Sequence, residues 1–165
     1  MGTDQATQDV SAARLRRVLG TFATGVTVIT AAGDDGPVGM AANSFTSVSL
    51  DPPLVLFCAG KSSTTWPDIE AAGRFCVNIL GSEHADLSTQ FATKDLDRFA
   101  GVSHRTEATG SPVLDDAIAW LDCEQVTIHD AGDHVIVVGQ VLALDAVEDA
   151  APLLFFRGGY GQLSS

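Results

Sequence analysis

Apolar positions along the chain fall mainly into short runs that are β-branched, continuous or alternating, and such runs predict strands. The run at 54–59 is continuous, which predicts a strand buried on both faces. A Pro-Pro turn separates it from another predicted strand at 39–49, which is dense in small and hydroxyl side chains. Further strands are predicted at 26–32, 75–80, 118–129, 134–147 and 153–156, with hairpin turns at 33–37 and 130–133.

Helical segments are fewer and are recognised by their end signals. Pro67 falls in the first turn of one of them, where its missing N–H costs little. Gly20 and Gly73 end the first two helices. The predicted helices are 12–19 with Ser11 as cap, 66–72 with Thr64 or Thr65 as cap, and 82–92 with Ser82 as cap, followed by a helical turn at 95–99 and a polar loop at 101–112.

Strands in hairpins dominate this order, and strands and helices do not alternate as in a parallel sheet. The fold class predicted is mainly β: a closed or nearly closed antiparallel barrel whose openings are covered by the inserted helices. Residues 1–10 are expected to form a flexible tail. Residues 11–165 are expected to form a single domain, since a chain of 165 residues suits one core.

Charge and cysteine usage narrow the function classes. The formal net charge of −12 argues against nucleic acid or an anionic membrane surface as a partner. No apolar run approaches the roughly 18 residues of a membrane span, and the N-terminal residues lack the apolar core of a signal peptide. Three widely spaced cysteines and four histidines form no metal-binding pattern, so we expect a cytoplasmic protein without a metal.

A hydroxyl-rich loop after the 54–59 strand has the chemistry of an anion site, most often a phosphate. Its Gly60-Lys61-Ser62 matches the end of the nucleotide-binding P-loop pattern, but Val55 stands where that pattern requires glycine. Nucleotide hydrolysis is therefore disfavoured, while a phosphate cradle remains, with ordinary helix capping as the alternative. The candidate residues are Ala59, Gly60, Lys61, Ser62, Ser63 and Thr64.

Other candidate residues have a structural alternative beside the functional one. His134 follows a hairpin turn. Phe91 is explained equally well as a core residue, and Lys94 as a surface charge. Arg157 and Tyr160 lie in a glycine-rich tail that is either a flexible end or a cover for a planar ligand. The chain offers a place for an anionic, planar cofactor and little acid–base machinery, which suits chemistry carried by the cofactor.

An ordered set of motifs resembles the short-chain flavin reductases and spans nearly the whole chain. Each motif alone is weak, but their order is specific. The segments that carry the resemblance are 22–30, 39–53, 75–80, 91–92, 97–99, Gly132-Asp133-His134 and 152–156.

The resemblance implies an FMN-binding split barrel of antiparallel, Greek-key-like topology, usually a homodimer with flavin near the subunit interface. Such proteins reduce FMN or FAD with NADH, or sometimes NADPH. The reduced flavin then leaves for a separate monooxygenase component.

By position, the resemblance also implies roles for single residues. His134 would be the catalytic residue that orients the nicotinamide, with Arg157 and Tyr160 on the same side. Ala41, Asn43 and Ser44 would line the isoalloxazine, and Ser47 and Ser49 the ribityl chain. The loop from Ala59 to Thr64 would hold the phosphate, and Phe91 and Lys94 would touch the distal part of the flavin.

Two other functions remain open on the sequence. One is a non-catalytic flavin carrier or sensor on the same barrel, and the other is an oxidase of a phosphorylated vitamin such as pyridoxamine phosphate. The choices between FMN and FAD and between NADH and NADPH also stay open. No arginine pair for a 2′-phosphate is evident near the tail, which favours NADH.

Overall fold

The computed structural model describes residues 9–164, and antiparallel strands make up most of it. The helices are α1 (Ala12–Leu19), α2 (Trp66–Ala72) and α3 (Ala85–Ala92). The strands are β1 (Thr24–Gly25), β2 (Thr27–Gly33), β3 (Gly36–Ala42), β4 (Thr46–Leu50), β5 (Pro53–Gly60), β6 (Arg74–Ile79), β7 (His104–Thr106), β8 (Pro112–Leu114), β9 (Ala119–Ala131), β10 (His134–Ala146), β11 (Leu154–Phe156) and β12 (Gly159–Gly161).

One large antiparallel sheet, in the order β3-β2-β6-β9-β10-β5-β4, forms the barrel wall. Its two ends come together because the chain runs directly from β3 at one edge into β4 at the other. No ladder joins β3 to β5, so a seam remains between them within the described residues. A second sheet, β1-β11-β12, and the hairpin β7-β8 lie outside this wall. The prediction of a mainly β, nearly closed antiparallel barrel is confirmed.

The strand predictions fail at the segment 39–49, which is two strands and not one. A bend at residues 43–45 separates β3 from β4, so Ser47 and Ser49 pair with Val55 and Leu54 of β5. The strand β5 is also not buried on both faces: Val55, Phe57 and Ala59 are buried, and the residues between them are only half-buried. Its apolar outer face explains the continuous run in the sequence.

The helices α1 and α2 have the predicted bounds, and Ser11 and Thr65 occupy their N-cap positions as predicted, whereas the cap prediction for α3 is wrong. Thr65 makes no side-chain cap, and the Ser63 hydroxyl instead accepts from the backbone N–H groups of Thr65 and Trp66 at 3.2 and 3.1 Å. The helix α3 begins at Ala85 behind His84, so Ser82 is not its cap. Residues 95–99 form turns without a helix, and the predicted loop at 101–112 contains β7.

The glycine-rich tail is structured, which excludes the flexible-end alternative for its first part. The strand β12 pairs with β11, and the turn between them is Arg157-Gly158. Most of the predicted tail at 1–10 lies outside the described residues. None of the helices in the described part of the chain is both long enough and apolar enough to span a membrane.

Two apolar clusters fill the structure on either side of the sheet. In the first, the Phe57 ring contacts Trp66 and Phe75 edge-on, with ring centroids 6.1 and 5.0 Å apart. The second cluster contains Phe91, which belongs to α3, and Leu80. The clusters hold β3 and β5 as fixed walls on either side of the seam.

Candidate functional site

A groove of about 380 Å³ lies over the seam between β3 and β5. Small side chains form much of one wall, and polar groups stand at both ends. The residues lining it are Met40, Ala41, Ala42, Asn43, Ser44, Cys58, Gly60, Ser63, Phe91, Ala92, Arg98 and His134. The sequence prediction placed Ala41, Asn43, Ser44, Gly60, Ser63, Phe91 and His134 in one site, and the structure brings these residues together.

Ser44 fixes the width of the groove by bonding to the opposite wall. Its hydroxyl donates to the backbone carbonyl of Cys58 at 3.1 Å and accepts from the N–H of Cys58 at 2.9 Å. Both backbone groups of one β5 residue are thereby satisfied without a strand ladder. The hydroxyl of Ser44 therefore holds the walls together and is already engaged.

Two smaller cavities extend the groove in opposite directions. One, of about 190 Å³, shares Ala41, Ala42 and Asn43 with the groove and reaches Tyr160 and Ser88. The other, of about 260 Å³, shares Arg98 and is lined by Thr64 and Thr65 as well as by three aspartates, Asp68, Asp95 and Asp97. The combined cleft is long, with a phenol at one end and a guanidinium at the other.

Arg98 is the functional candidate that sequence reasoning missed. Its Nη1 donates to the Gly39 carbonyl at 2.8 Å and to the Thr65 hydroxyl at 2.9 Å, and its Nε donates to the Thr93 carbonyl at 3.0 Å. Partial burial lowers the pKa of Arg98. Because only neutral oxygens hold this guanidinium, its positive charge stays available to an anion in the groove. The only signal in the sequence was its place in the Asp97-Arg98-Phe99 motif.

Lys61, predicted as the phosphate cation, faces away from the groove. Its Nζ lies 3.1 Å from Asp130 Oδ1, and its backbone N–H donates to the Asp133 carbonyl at 2.9 Å. Both contacts turn the loop toward the β9–β10 hairpin. Ser62 is exposed and does not line the groove, whereas Ser63 lines it and Thr64 lines the extension toward Arg98. Ala59 is buried in the core beneath the loop.

His134 stands at the entrance of the groove with half of its side chain exposed. Its Nδ1 lies 2.7 Å from Asp133 Oδ1, which fixes the ring, and this hydrogen bond is the main cause that lowers the pKa of Asp133. A Cβ on Gly60 would lie 3.7 Å from Nε2. The glycine therefore keeps the space in front of Nε2 open.

The remaining predicted residues divide between the cleft and other places. Tyr160 donates from its hydroxyl to Ser88 Oγ at 2.8 Å and lines the cleft. Phe91 is fully buried and lies beneath the groove, which is compatible with a core residue and with a residue that contacts a ligand. Ser47 and Ser49 do not line the cleft, because β4 carries them past the seam. Lys94 lies on an exposed turn, and Arg157 opens onto a different cavity beside α1.

The barrel, its open seam and the cation-ended cleft define a split-barrel protein of the flavin-binding class. The family described as "Flavin reductase like domain" matches residues 19–164, and the chain belongs to that family. The resemblance recognised in the motifs is confirmed.

Relatives with assigned activities share about half of their residues with this chain. It is 49% identical over 147 residues to a flavin reductase of Pseudomonas putida, covering 88% of this chain and 86% of the relative. It is 50% identical over 147 residues to the reductase subunit HsaB of a flavin-dependent monooxygenase from Mycobacterium tuberculosis, covering 88% of this chain and 79% of the relative.

The fold is also that of a solved reductase. The NADH:FAD oxidoreductase SgcE6 of Streptomyces globisporus, solved in complex with NAD and FAD fragments, superposes with a TM-score of 0.88. The two chains are 38% identical, and the match covers 92% of each.

Reaction with a thiol reagent tests the groove wall, because only one of the three cysteines is accessible. Cys58 is half-buried and lines the groove, whereas Cys76 and Cys123 are fully buried. Burial raises the pKa of the Cys76 thiol far above its usual value and that of Cys123 to about 12. We expect one thiol per native chain to react at about pH 8, since the thiolate is the reactive form.

Denaturant should expose all three thiols to the same reagent. Cys58→Ser should abolish the reaction of the native protein while leaving its fold unchanged by circular dichroism. Fast labelling of Cys76 or Cys123 in the native variant would contradict the burial of these two thiols.

Proposed function

We propose that the protein is an NAD(P)H:flavin oxidoreductase that reduces FMN or FAD and releases the reduced flavin to a separate monooxygenase. The observation that carries the proposal is the cleft itself: a wall of small residues in a groove that is also lined by the Arg98 guanidinium and by an oriented histidine, His134. Family membership and relatives that are reductase subunits support it. NADH is the favoured reductant, as in the oxidoreductase from Streptomyces globisporus.

The wall of the groove fits a planar heterocycle. Ala41 and Ala42 leave room for a flat ring, and within the part of the chain that the structure describes β3 pairs on one side only, with β2. Its other edge offers backbone N–H and C=O groups, which an aromatic system with a polar edge needs. We assign Ala41, Asn43 and the backbone near Ser44 to the isoalloxazine, while the hydroxyl of Ser44 remains bound to β5.

The opposite end of the cleft fits a phosphate. Arg98 supplies a charge held by neutral oxygens, with Ser63 and Thr64 nearby as hydroxyl donors. A guanidinium suits phosphate because its N–H groups match two phosphate oxygens at once. We therefore assign the phosphate to Arg98 and not to Lys61, whose charge is paired with Asp130.

His134 is assigned to the nicotinamide. A bound flavin supplies the redox chemistry by accepting a hydride from the reduced nicotinamide, and the protein has to position the two rings. Asp133 holds Nδ1 of His134, so Nε2 remains available to the carboxamide of the nicotinamide. Tyr160, held by Ser88, closes the neighbouring end of the cleft.

We also propose that two chains form a homodimer with the cleft beside the interface. Half-buried apolar side chains on the outer faces of β5 and β10, Leu56, Ile136 and Val138 among them, form a strip that continues into Cys58 of the groove. A second copy of the chain would cover this strip.

The cytoplasm is the compartment we assign to the protein. Cys58, Cys76 and Cys123 are all free thiols, and two of them are buried. Free buried thiols are usual in reducing compartments. NADH, the favoured reductant, also points to the interior of the cell.

Steady-state oxidation of NADH and NADPH by the purified protein tests the reductase directly. With added FMN, FAD or riboflavin, turnover should depend on the flavin and rise to saturation, because the flavin is a substrate that leaves. His134→Ala should raise KM for the nucleotide more than it lowers kcat. Flavin binding by fluorescence quenching without turnover in any combination would instead identify a carrier or sensor.

Substitution of Arg98 tests its assignment to the phosphate. Arg98→Gln should raise Kd for FMN about tenfold or more, since a charged hydrogen bond contributes about 1.5–3 kcal/mol. Kd for riboflavin, which has no phosphate, should not change. Both constants can be measured by quenching of flavin fluorescence.

Lys61→Gln is the matched control, because the ion pair of Lys61 with Asp130 is exposed. Exposed ion pairs contribute little, so Kd for both flavins should stay within about twofold of the parent value. Equal weakening of FMN and riboflavin by Arg98→Gln would mean that Arg98 shapes the groove without binding the phosphate.

Sedimentation equilibrium tests the homodimer. The parent protein should have twice the mass of one chain, and Val138→Asp should shift it to one chain, because a carboxylate in an apolar interface is costly. Val147→Asp, at an exposed apolar site beyond the end of β10, is the control and should stay dimeric. A parent protein with the mass of one chain would refute the proposal.

A further inference from the structure

Three arginines from two distant parts of the chain line a single cavity of about 600 Å³. Arg16 and Arg17 come from α1 and Arg157 from the β11–β12 turn, and the other lining residues are Gly20, Thr21 and Gly158. Within residues 9–164, no acidic residue lines it, although the chain has 21 acidic residues and only nine lysines and arginines. We call this cavity the arginine pocket.

The backbone joins the two sides of the arginine pocket. The N–H of Arg157 donates to the Gly20 carbonyl at 2.8 Å, which attaches the turn to the end of α1. Arg157 has a φ of 49°, and Gly158 has a φ of 78°. Asn, Asp and Gly are the residues that usually adopt such a conformation in a hairpin turn. An arginine held there, with its guanidinium 4.9 Å from the centre of the Phe156 ring, points to a role beyond making the turn.

Helix stability accounts for only part of this cluster. Arg16 and Arg17 lie in the last turn of α1, where cations interact favourably with the helix dipole. Arg157 is on another element, and that effect does not explain it. Among residues 9–164, none of the three arginines forms a salt bridge. Their charges repel one another, and a bound anion would relieve the repulsion.

The arginine pocket lies toward the nicotinamide end of the cleft. Tyr160, which lines that end, is on the strand that follows Arg157. On the other side, the pKa of Asp133 is lowered mainly by its hydrogen bond with His134 and, to the smallest extent, by the charge of Arg16. Asp133 holds His134, and the proposal requires that a ligand with its nicotinamide at His134 reach the arginine pocket with its other half.

We propose that the arginine pocket binds the phosphate groups of the nicotinamide dinucleotide, an inference that rests on the proposed reductase function. Two phosphate groups of the ligand fit this chemistry: the pyrophosphate, which NADH and NADPH both carry, and the 2′-phosphate, which only NADPH carries. The sequence showed no arginine pair near the tail because α1 supplies two of the three arginines from more than 130 positions away.

The experiment compares Arg16→Gln/Arg17→Gln with the control Arg14→Gln, which removes a charge of the same helix outside the pocket. With saturating FMN, the double variant should have a KM for NADH, for NADPH or for both that is about tenfold higher or more, as expected for lost charged contacts to phosphate. It should leave kcat and Kd for FMN unchanged, and the control should leave all three unchanged. A higher KM for both dinucleotides identifies the pyrophosphate as the bound group, and a higher KM for NADPH alone identifies the 2′-phosphate.

Binding of ADP-ribose and of 2′-phospho-ADP-ribose, followed by calorimetry, separates this proposal from the reductase function because it needs no turnover. Weaker binding of either compound by the double variant supports the pocket even if no flavin is reduced. Turnover with unchanged KM for both dinucleotides refutes the pocket and leaves the reductase standing. A change of oligomeric state without a change of KM would mean that the pocket holds part of a second subunit.

Discussion

The bond between Ser44 and Cys58 is the constraint on which the site depends. A single hydroxyl satisfies the N–H and the C=O of Cys58, so the barrel is held across its seam without a strand ladder. The chain can therefore leave β3 and enter β4 while the outer edge of β3 stays unpaired. An open strand edge usually invites association with another strand. Here it faces a groove and gives a ligand access to backbone groups.

Close packing beneath the seam keeps this edge in place. A Cβ on Gly39 would lie 2.7 Å from Cε1 of Phe91, so β3 rests directly on a buried ring. On the other side of the barrel, a Cβ on Gly139 would lie 2.5 Å from Cζ of Phe75. Such contacts leave no room for side-chain rearrangement. The groove is thus a rigid surface, and the rigidity suits a site that has to align two flat rings.

The sequence was sufficient wherever local signals determine the structure. The bounds of α1 and α2 followed from Ser11, Pro67 and Gly73, and the apolar runs located the strands of the barrel wall. It was insufficient where distant residues decide which way a side chain points. Lys61 looked like the phosphate cation until Asp130 turned it away, and Arg98 reaches the groove only because Gly39 and Thr65 hold it there. Ser47 and Ser49 lie outside the cleft for the same reason, since the bend at Ser44 depends on Cys58 across the seam.

Net charge gives these few cations their importance. A chain of net charge −12 repels the anionic flavins and dinucleotides that it is proposed to bind, so only local positive charge can attract them. Arg98 stands at one end of the cleft, and the arginine pocket lies toward the other. In the proposed function, this arrangement would position anions while the overall field lowers their affinity. Moderate affinity is what a reductase needs if its reduced flavin is to leave, and an acidic surface with a few local cations is consistent with that need.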